Sequence, residues 1–448
     1  MTIAHEEKRA GRKRSRPPIE AELQLAAWTA RGSATAQLDG RTVAIDRGIP
    51  GERVIAEVRR ERGGRRGVVR SVLEPSPDRV APPCPFFSRD CGGCQLQHVS
   101  YRAQLALKRD RLHSELQAAG VPARIDAVHG MDEPWRYRHT AAIALGWEAG
   151  FRPRGRRGIV ALDDCLISHP LIGGLAARLN ELLAAGALPR YHGKVWLDCV
   201  VTGTRAQPTL QVLIQGIAGL TLESHPELRE VGGVLAGLDG VESVAFRHRS
   251  GEARALAGDL WAKIELDGRL MYLPAGSFFQ TNLAMLERLI GAMRARLTGD
   301  SGTVSAVRQA ADLYGGAGTF GLALAPLVQR MTLVELDPAA VQAATRTAAE
   351  WGLDNIVSVA RHAERALQEL RGLDLAIVDP PRCGLDAAVI QALAANRVST
   401  VFYVSCSPPS LARDLALFLA RGYTVRRLEI YDFYPQTYHA ECFAELSL

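Results

Sequence analysis

Cys406 stands in Tyr403-Val404-Ser405-Cys406-Ser407-Pro408, and thirty-five residues later Glu441 ends the segment Tyr434-Pro435-Gln436-Thr437-Tyr438-His439-Ala440-Glu441. A thiol and a carboxylate, both late in an α/β pattern, read as a nucleophile and its base. Upstream, Asp312-Leu313-Tyr314-Gly315-Gly316-Ala317-Gly318-Thr319-Phe320-Gly321 is a Gly-rich turn between a strand and a helix, where a bound cofactor would lie against the thiol. Together the three segments point to covalent methyl transfer onto a pyrimidine. Singly each is weak, because a cysteine at a strand end is usually a packing residue and an acid near a C-terminus usually a solvated one. His439, on a loop, reads as a hydrogen-bonding or packing residue rather than a catalyst.

The strand Ala310-Ala311-Asp312-Leu313-Tyr314 runs into glycines that let the backbone turn close to a ligand, and Leu322 to Leu327 is expected to open the next helix. Gly316-x-Gly318-x-x-Gly321 fits the dinucleotide fingerprint. A second strand, Met331 to Glu335, ends in an acid suited to ribose hydroxyls, a requirement that NAD and S-adenosylmethionine proteins share. A third, Leu373 to Val378, ends in Asp379-Pro380-Pro381-Arg382, where two prolines stiffen the loop and aim Asp379 at the site. Acid-Pro-Pro at that strand end is typical of base- and amide-methylating enzymes rather than dehydrogenases.

Among eight cysteines, Cys84, Cys91 and Cys94 are spaced C-x6-C-x2-C. The Gly92-Gly93 pair is expected to leave its amides free to point at sulfur. Cys165, which follows a basic loop, is the best fourth ligand, and four thiolates suit either tetrahedral zinc or a [4Fe–4S] cluster. Zinc usually takes two short C-x2-4-C clips and only one is present, so the cluster is favoured. A radical enzyme would need a C-x3-C-x2-C triplet, which is absent. Cys199, Cys383 and Cys442 read as structural.

The elements that must hold these residues belong to a chain of 448 residues, too long for one ordinary core and 47% hydrophobic, so two or three domains are expected. Residues 1–17 read as a basic disordered arm. Residues 18–75 carry short alternating runs (Thr42 to Ile45, Val54 to Val58, Val68 to Val72) with turns at Asp39-Gly40, Pro50-Gly51 and Gly63-Gly64, the pattern of a small OB-like barrel whose arginines would grip phosphates. Residues 76–270 mix strands such as Val195 to Val201 with helices at Tyr101 to Ala119 and Leu171 to Ala185. From 271 to 448, helices alternate with apolar strands as in a doubly wound parallel sheet. Net charge is +6, concentrated at Lys8 to Arg16, Arg59 to Arg70 and Arg152 to Arg157, and this favours a nucleic-acid partner. No run approaches the about 18 apolar residues of a membrane helix, and no apolar segment follows the basic N-terminus. A cytoplasmic monomer acting on RNA, without a membrane, is expected.

On these motifs the chain resembles the bacterial 23S ribosomal RNA uracil-5-methyltransferases, from Glu20 to the end. The shared segments are the cysteine set, Phe279-Gln280-Thr281-Asn282, the Asp312-to-Gly321 turn, Asp379-Pro380-Pro381-Arg382, Val404-Ser405-Cys406-x-Pro408 and Pro435 to Glu441. The resemblance implies an N-terminal TRAM barrel, a central α+β domain carrying a [4Fe–4S] cluster on Cys84, Cys91, Cys94 and Cys165, and a Rossmann-like methyltransferase domain. It further implies that Gln280, Tyr314, Glu335 and Asp379 contact S-adenosylmethionine, that Cys406 is the nucleophile and that Glu441 is the base. The chain departs from the family at Gly315, Ser407 and His139. Two other classes fit parts of the pattern. An iron–sulfur dinucleotide oxidoreductase fits the glycine fingerprint but not Asp379-Pro380-Pro381, and a non-catalytic RNA-binding factor would leave Cys406 incidental. The same reaction on transfer RNA is the near alternative.

Overall fold

A computed structural model describes residues 17–61, 64–155, 157–191, 195–216, 221–248, 252–298 and 307–448. The basic arm expected over residues 1–17 therefore lies, apart from Pro17, outside the described residues. The chain divides into two compact units, Met1–Ala81 with His98–Ser100 and Pro82–Gln97 with Tyr101–Leu448.

The first unit is a five-stranded sheet of β1 (Ile19–Gln24), β2 (Ala34–Leu38), β3 (Arg41–Asp46), β4 (Arg53–Glu61) and β5 (Gly64–Glu74), in the order β1-β4-β5-β3-β2. Alternation along the strands sends Leu23, Ala36, Val43, Ile45, Val54, Ala56 and Val58 into one core. Asp39 and Gly40, with φ of 52° and 70°, make the tight turn between β2 and β3, a conformation that suits an Asp-Gly pair. The arginines expected to grip phosphates are largely engaged within the unit. Arg53 pairs with Glu22 and Glu74, Arg59 and Arg70 with Glu57, Arg65 with Asp39, and Arg66 with Asp46. Glu52, fully buried, receives Arg79 and the amides of Ile49 and Ser76, so the segment after β5 is held to the unit by a satisfied carboxylate.

The second unit contains two sheets. The strand β6 (Ala127–His129) precedes β7 (Thr140–Leu145), β8 (Ala149–Phe151), β9 (Val160–Ala161), β10 (Val195–Gly203), β11 (Pro208–Gly216), β12 (Val241–His248), β13 (Ala253–Ala257), β14 (Trp261–Leu266) and β15 (Arg269–Pro274). The strands β7 to β15 form a nine-stranded sheet with the path β13-β12-β11-β10-β7-β8-β9, to which β14 and β15 attach. The helices Pro170–Ala184 and Glu227–Ala236 pack on it through Leu175, Leu179, Leu228 and Val231.

The chain ends in β16 (Gln309–Leu313), β17 (Arg330–Glu335), β18 (Ile356–Ala360), β19 (Leu375–Val378), β20 (Thr400–Ser405), β21 (Thr424–Tyr431) and β22 (Glu441–Ser447), which with β6 form an eight-stranded sheet in the order β18-β17-β16-β19-β20-β22-β21-β6. From β18 to β20 the strands are parallel. Apart from the edge strand β18, they are short runs whose apolar residues are buried between helices on both faces, as parallel sheets require. The final strand β22 runs antiparallel, inserted between β20 and β21. This is the Rossmann-like α/β arrangement expected from the sequence. The strand order reverses between β16 and β19, and such a reversal opens a crevice at the carboxyl ends of the parallel strands.

Candidate active site

A cavity of about 720 Å³ opens at that reversal. Gln280, Tyr314, Glu335, Asp379, Cys406 and Glu441 all line it, so the six side chains picked out as catalytic or cofactor-binding share one cleft. Tyr314, Glu335, Asp379 and Cys406 sit at the carboxyl ends of β16, β17, β19 and β20 or just past them. Glu441 arrives from the other direction. The antiparallel ladder ends with Ser405 paired to Cys442, and Cys406 and Glu441, each one residue past that pair, line the same cleft near enough for Glu441 to act on the thiol.

The glycine turn has the backbone its composition implies. Gly316 and Gly318 hold φ of 54° and 94°, and a Cβ on Gly318 would stand 2.6 Å from Leu322 Cδ1. Tyr314 also lies in the left-handed region, at 64°, which is a strained choice for a residue with a side chain. The following helix is Thr319–Leu324, opening three residues earlier than expected because the residue after Gly318 is already helical. Two carboxylates brace the turn. Asp312 Oδ2 accepts the Gly321 amide at 2.7 Å. Glu335 accepts Gly316 N at 3.0 Å, Leu336 N at 2.6 Å and Asp337 N at 2.9 Å. With the glycine turn open on the cavity and an acid at the end of β17, these residues fit an S-adenosyl nucleoside, with lone pairs on Glu335 left for hydroxyls.

Burial dominates the electrostatics. It pushes Asp312 up to about 7 and Asp379 up to about 7, the latter against the opposing hydrogen bond from Gln280 Nε2 at 3.2 Å. Glu441, 1% exposed, is driven well above the carboxylate range by burial and by Asp379, with Arg382 opposing. Among the described residues its Oε1 has no hydrogen-bond partner, and neither has Gln280 Oε1. Such groups are costly unless something completes them. A nucleophilic thiol is expected to have a lowered pKa, but Cys406 does not. Burial and the neighbouring Glu441 push it up to about 11, while the charge and hydrogen bond of Arg382 pull the other way.

Three residues with no assigned role belong to the site. Arg382 is the cation that acts on Cys406, and the Asp379-Pro380-Pro381-Arg382 motif had placed it there. Tyr434 lines the wall beside Glu441. Phe278, 75% exposed, stands at the cavity, an uncommon exposure for so large an apolar side chain. His439 is absent from the lining. Its ring packs 4.2 Å from Tyr438 and 5.8 Å from Tyr434, and burial pushes it down to about 4. Cys199 and Cys442 are buried as expected, but Cys383 is exposed and so is not a packing residue.

Cys84, Cys91, Cys94 and Cys165 line a second, small cavity with Phe86, Phe87 and Phe151. Cys84 caps the short helix Pro85–Ser88, and Ser168 Oγ donates to Cys165 Sγ at 3.3 Å. Of the two glycine amides expected to face sulfur, Gly93 is directed to Cys91, whereas Gly92 donates to the Arg152 carbonyl at 2.9 Å. Among the described residues no group of three or more His, Cys, Asp or Glu side chains is arranged to hold a metal ion. Neither a zinc site nor a cluster site is therefore formed by that measure, and four thiolates would suit either. The donor type suits an iron–sulfur cluster, and the four side chains do face one space.

Residues 262–447, which carry the whole cleft, match the family described as tRNA (Uracil-5-)-methyltransferase. A 23S rRNA (uracil(1939)-C(5))-methyltransferase of Chromohalobacter salexigens is 32% identical over 90% of this chain and 84% of its own. An uncharacterized RNA methyltransferase of Halalkalibacterium halodurans is 30% identical over 95% of this chain and 96% of its own. In fold, the chain is similar to the Pyrococcus abyssi tRNA (uracil-54, C5)-methyltransferase, solved with S-adenosyl-L-homocysteine, at a TM-score of 0.74 and 23% identity over 95% of this chain and 99% of that one. Kinship along nearly the full length, joined to a cleft that gathers a thiol, acids and a glycine-rich turn, makes this chain a member of the S-adenosylmethionine-dependent RNA uracil-5-methyltransferase family.

Proposed function

We propose that the protein methylates carbon 5 of a uridine in 23S ribosomal RNA through a covalent adduct on Cys406. The observation that carries this reading is the end of the β20–β22 ladder, where Cys406 and the buried acid Glu441, each one residue past the Ser405–Cys442 pair, line one cleft. Carbon 5 of uracil is too weak a nucleophile to displace a methyl group from a sulfonium unaided. Cys406 Sγ adds to carbon 6, and the electron pair so released becomes an enolate centred on carbon 5. S-adenosylmethionine, which Gln280, Tyr314, Glu335 and Asp379 would hold, would supply the methyl group for this carbon and leave as S-adenosylhomocysteine. Glu441 then removes the proton from carbon 5, and the pair left behind expels Cys406 Sγ. A buried carboxyl that ionises reluctantly is a strong base once ionised, and Arg382 is the cation available to the thiolate. The target base must leave its stack to reach this cleft.

For the remaining parts we propose a TRAM-type RNA-binding barrel over residues 18–75, a central domain over 76–270 and the methyltransferase domain over 271–448, in a monomer of the cytoplasm. We also assign a structural [4Fe–4S] cluster to Cys84, Cys91, Cys94 and Cys165. Their shared cavity supports this, and anaerobic reconstitution that leaves no bound iron or sulfide would remove it. The second substrate reading, a transfer RNA, is supported by the description of the matching family. One experiment separates them: purified protein is incubated with labelled S-adenosylmethionine and either unmodified 23S rRNA or tRNA, followed by nucleoside mass spectrometry. Methyluridine in 23S rRNA alone is expected, and it should vanish with Cys406→Ala. Label in tRNA alone would move the assignment there.

A further inference from the structure

The helix Tyr101–Ala118 does not line the cleft, yet one stripe of it is devoted to the segment that ends in Glu441. Tyr101, Gln104, Lys108 and Arg111 recur at helical spacing and share a face. Tyr101 donates its hydroxyl to Asp432 Oδ2 at 2.9 Å, and Lys108 Nζ reaches Asp432 Oδ1 at 2.5 Å and the Tyr434 carbonyl at 3.0 Å. Gln104 clasps Gln436 twice, its Nε2 donating to Gln436 Oε1 at 3.0 Å and its Oε1 accepting Gln436 N at 2.9 Å. Arg111 donates to the Tyr438 carbonyl at 3.1 Å. Lys108, Asp432, Gln104 and Gln436 are all 3% exposed or less.

The clasp closes on a strained point. Gln436 holds a φ of 67°, a conformation that persists only where its surroundings over-determine it. Its carbonyl accepts Gln95 N at 2.9 Å and Leu96 N at 3.0 Å, directly after Cys94, and Tyr137 donates to the Pro435 carbonyl at 2.9 Å. A buried ion pair is a poor source of stability, whereas a buried polar network specifies one geometry, and here Gln104, Lys108 and Tyr101 all find partners while Arg111 Nε has none among the described residues. The geometry specified here is that of Tyr434 through Glu441.

We propose that Gln104 and Lys108 are positioning residues for the last step of the reaction, latching the segment from Asp432 to Tyr438 so that Glu441 faces the adduct on Cys406. The proposal rests on the base role of Glu441. It separates two steps that share the cleft: thiol addition and methyl transfer depend on β19 and β20, whereas proton removal depends on the latched segment.

The test is a single-turnover assay with a methyl-labelled donor and substrate RNA, read on a denaturing gel as methylated protein–RNA adduct and as free methyluridine. Glu441→Gln is the reference and should accumulate the adduct. Gln104→Ala, and the charge-removing pair Lys108→Met with Asp432→Asn, should also accumulate it. Their adduct formation and KM for RNA should stay within about threefold of wild type, with release slowed by up to about 100-fold, the loss that a displacement near 1 Å produces. The Gln104 variant keeps the buried ion pair and so keeps the test alive if the double variant does not fold. Adduct in Glu441→Gln but none in the latch variants overturns the latch alone. No adduct in Glu441→Gln overturns the base role and the latch with it.

Discussion

At Cys406 the environment opposes the state that the chemistry needs. Burial and Glu441 raise the thiol to about 11, and only Arg382 favours the thiolate. In the free enzyme the thiol is therefore protonated at neutral pH, and its thiolate fraction grows about tenfold per pH unit until pH meets the pKa. Alkylation of Cys406 by iodoacetamide, followed by peptide mass mapping so that exposed Cys383 is counted apart, should rise with unit slope from pH 7 to pH 10. A plateau before pH 9 would contradict this. A guarded thiol has a functional sense, since it resists oxidation and adventitious attack until a substrate base enters and the surroundings change.

At the scale of elements, the site depends on a turn and a strand. The turn after β16 brings its backbone to the cavity by placing Gly318 at φ 94°, with 2.6 Å between a would-be Cβ and Leu322. Gly318→Ala should weaken binding of S-adenosylmethionine, measured by calorimetry, by about 5- to 150-fold, the equivalent of the about 1–3 kcal/mol that such strain costs. An affinity within twofold of wild type would mean the turn relaxes freely. The strand is β22. Its insertion between β20 and β21 carries Glu441 to the cleft and packs Cys442, Phe443 and Ala444 into the core, so the sheet holds Glu441 from its C-terminal side and leaves its N-terminal side to the latched segment.

At the scale of the whole molecule, a net charge of +6 invites an electrostatic account of RNA binding, but the first unit spends many of its arginines internally. Exposed ion pairs of this kind add little stability, and they also leave less charge for phosphates. Arg70→Ala, which frees Glu57 of one partner, should therefore weaken RNA binding less than about threefold. The slope of log Kd against log salt should change by less than the roughly 0.7 expected for one lost phosphate contact with a single strand. A larger change would make Arg70 a phosphate ligand that exchanges its carboxylate for RNA.

Much of this protein was legible in the order of its residues. The strand ends at Leu313, Glu335 and Val378, the helices at Tyr101–Ala118 and Pro170–Ala184, and the motifs that line the cleft all follow from short-range periodicity and from the backbone limits of Gly and Pro. These are local properties, and the chain carries them wherever it folds. The meeting of Cys406 with Glu441 is of another kind. It exists because β22 turns back antiparallel and slots beside β20 in one register. The latch of Lys108 on Asp432 spans 324 residues of chain, and the pairing of the barrel arginines likewise joins separate strands. Burial, which reverses the expected direction at Cys406 and lifts Glu441, is a property of the packed core, since desolvation depends on every neighbour at once. Residue type and local spacing named the chemistry, and tertiary structure decided which groups face one another and in which charge state.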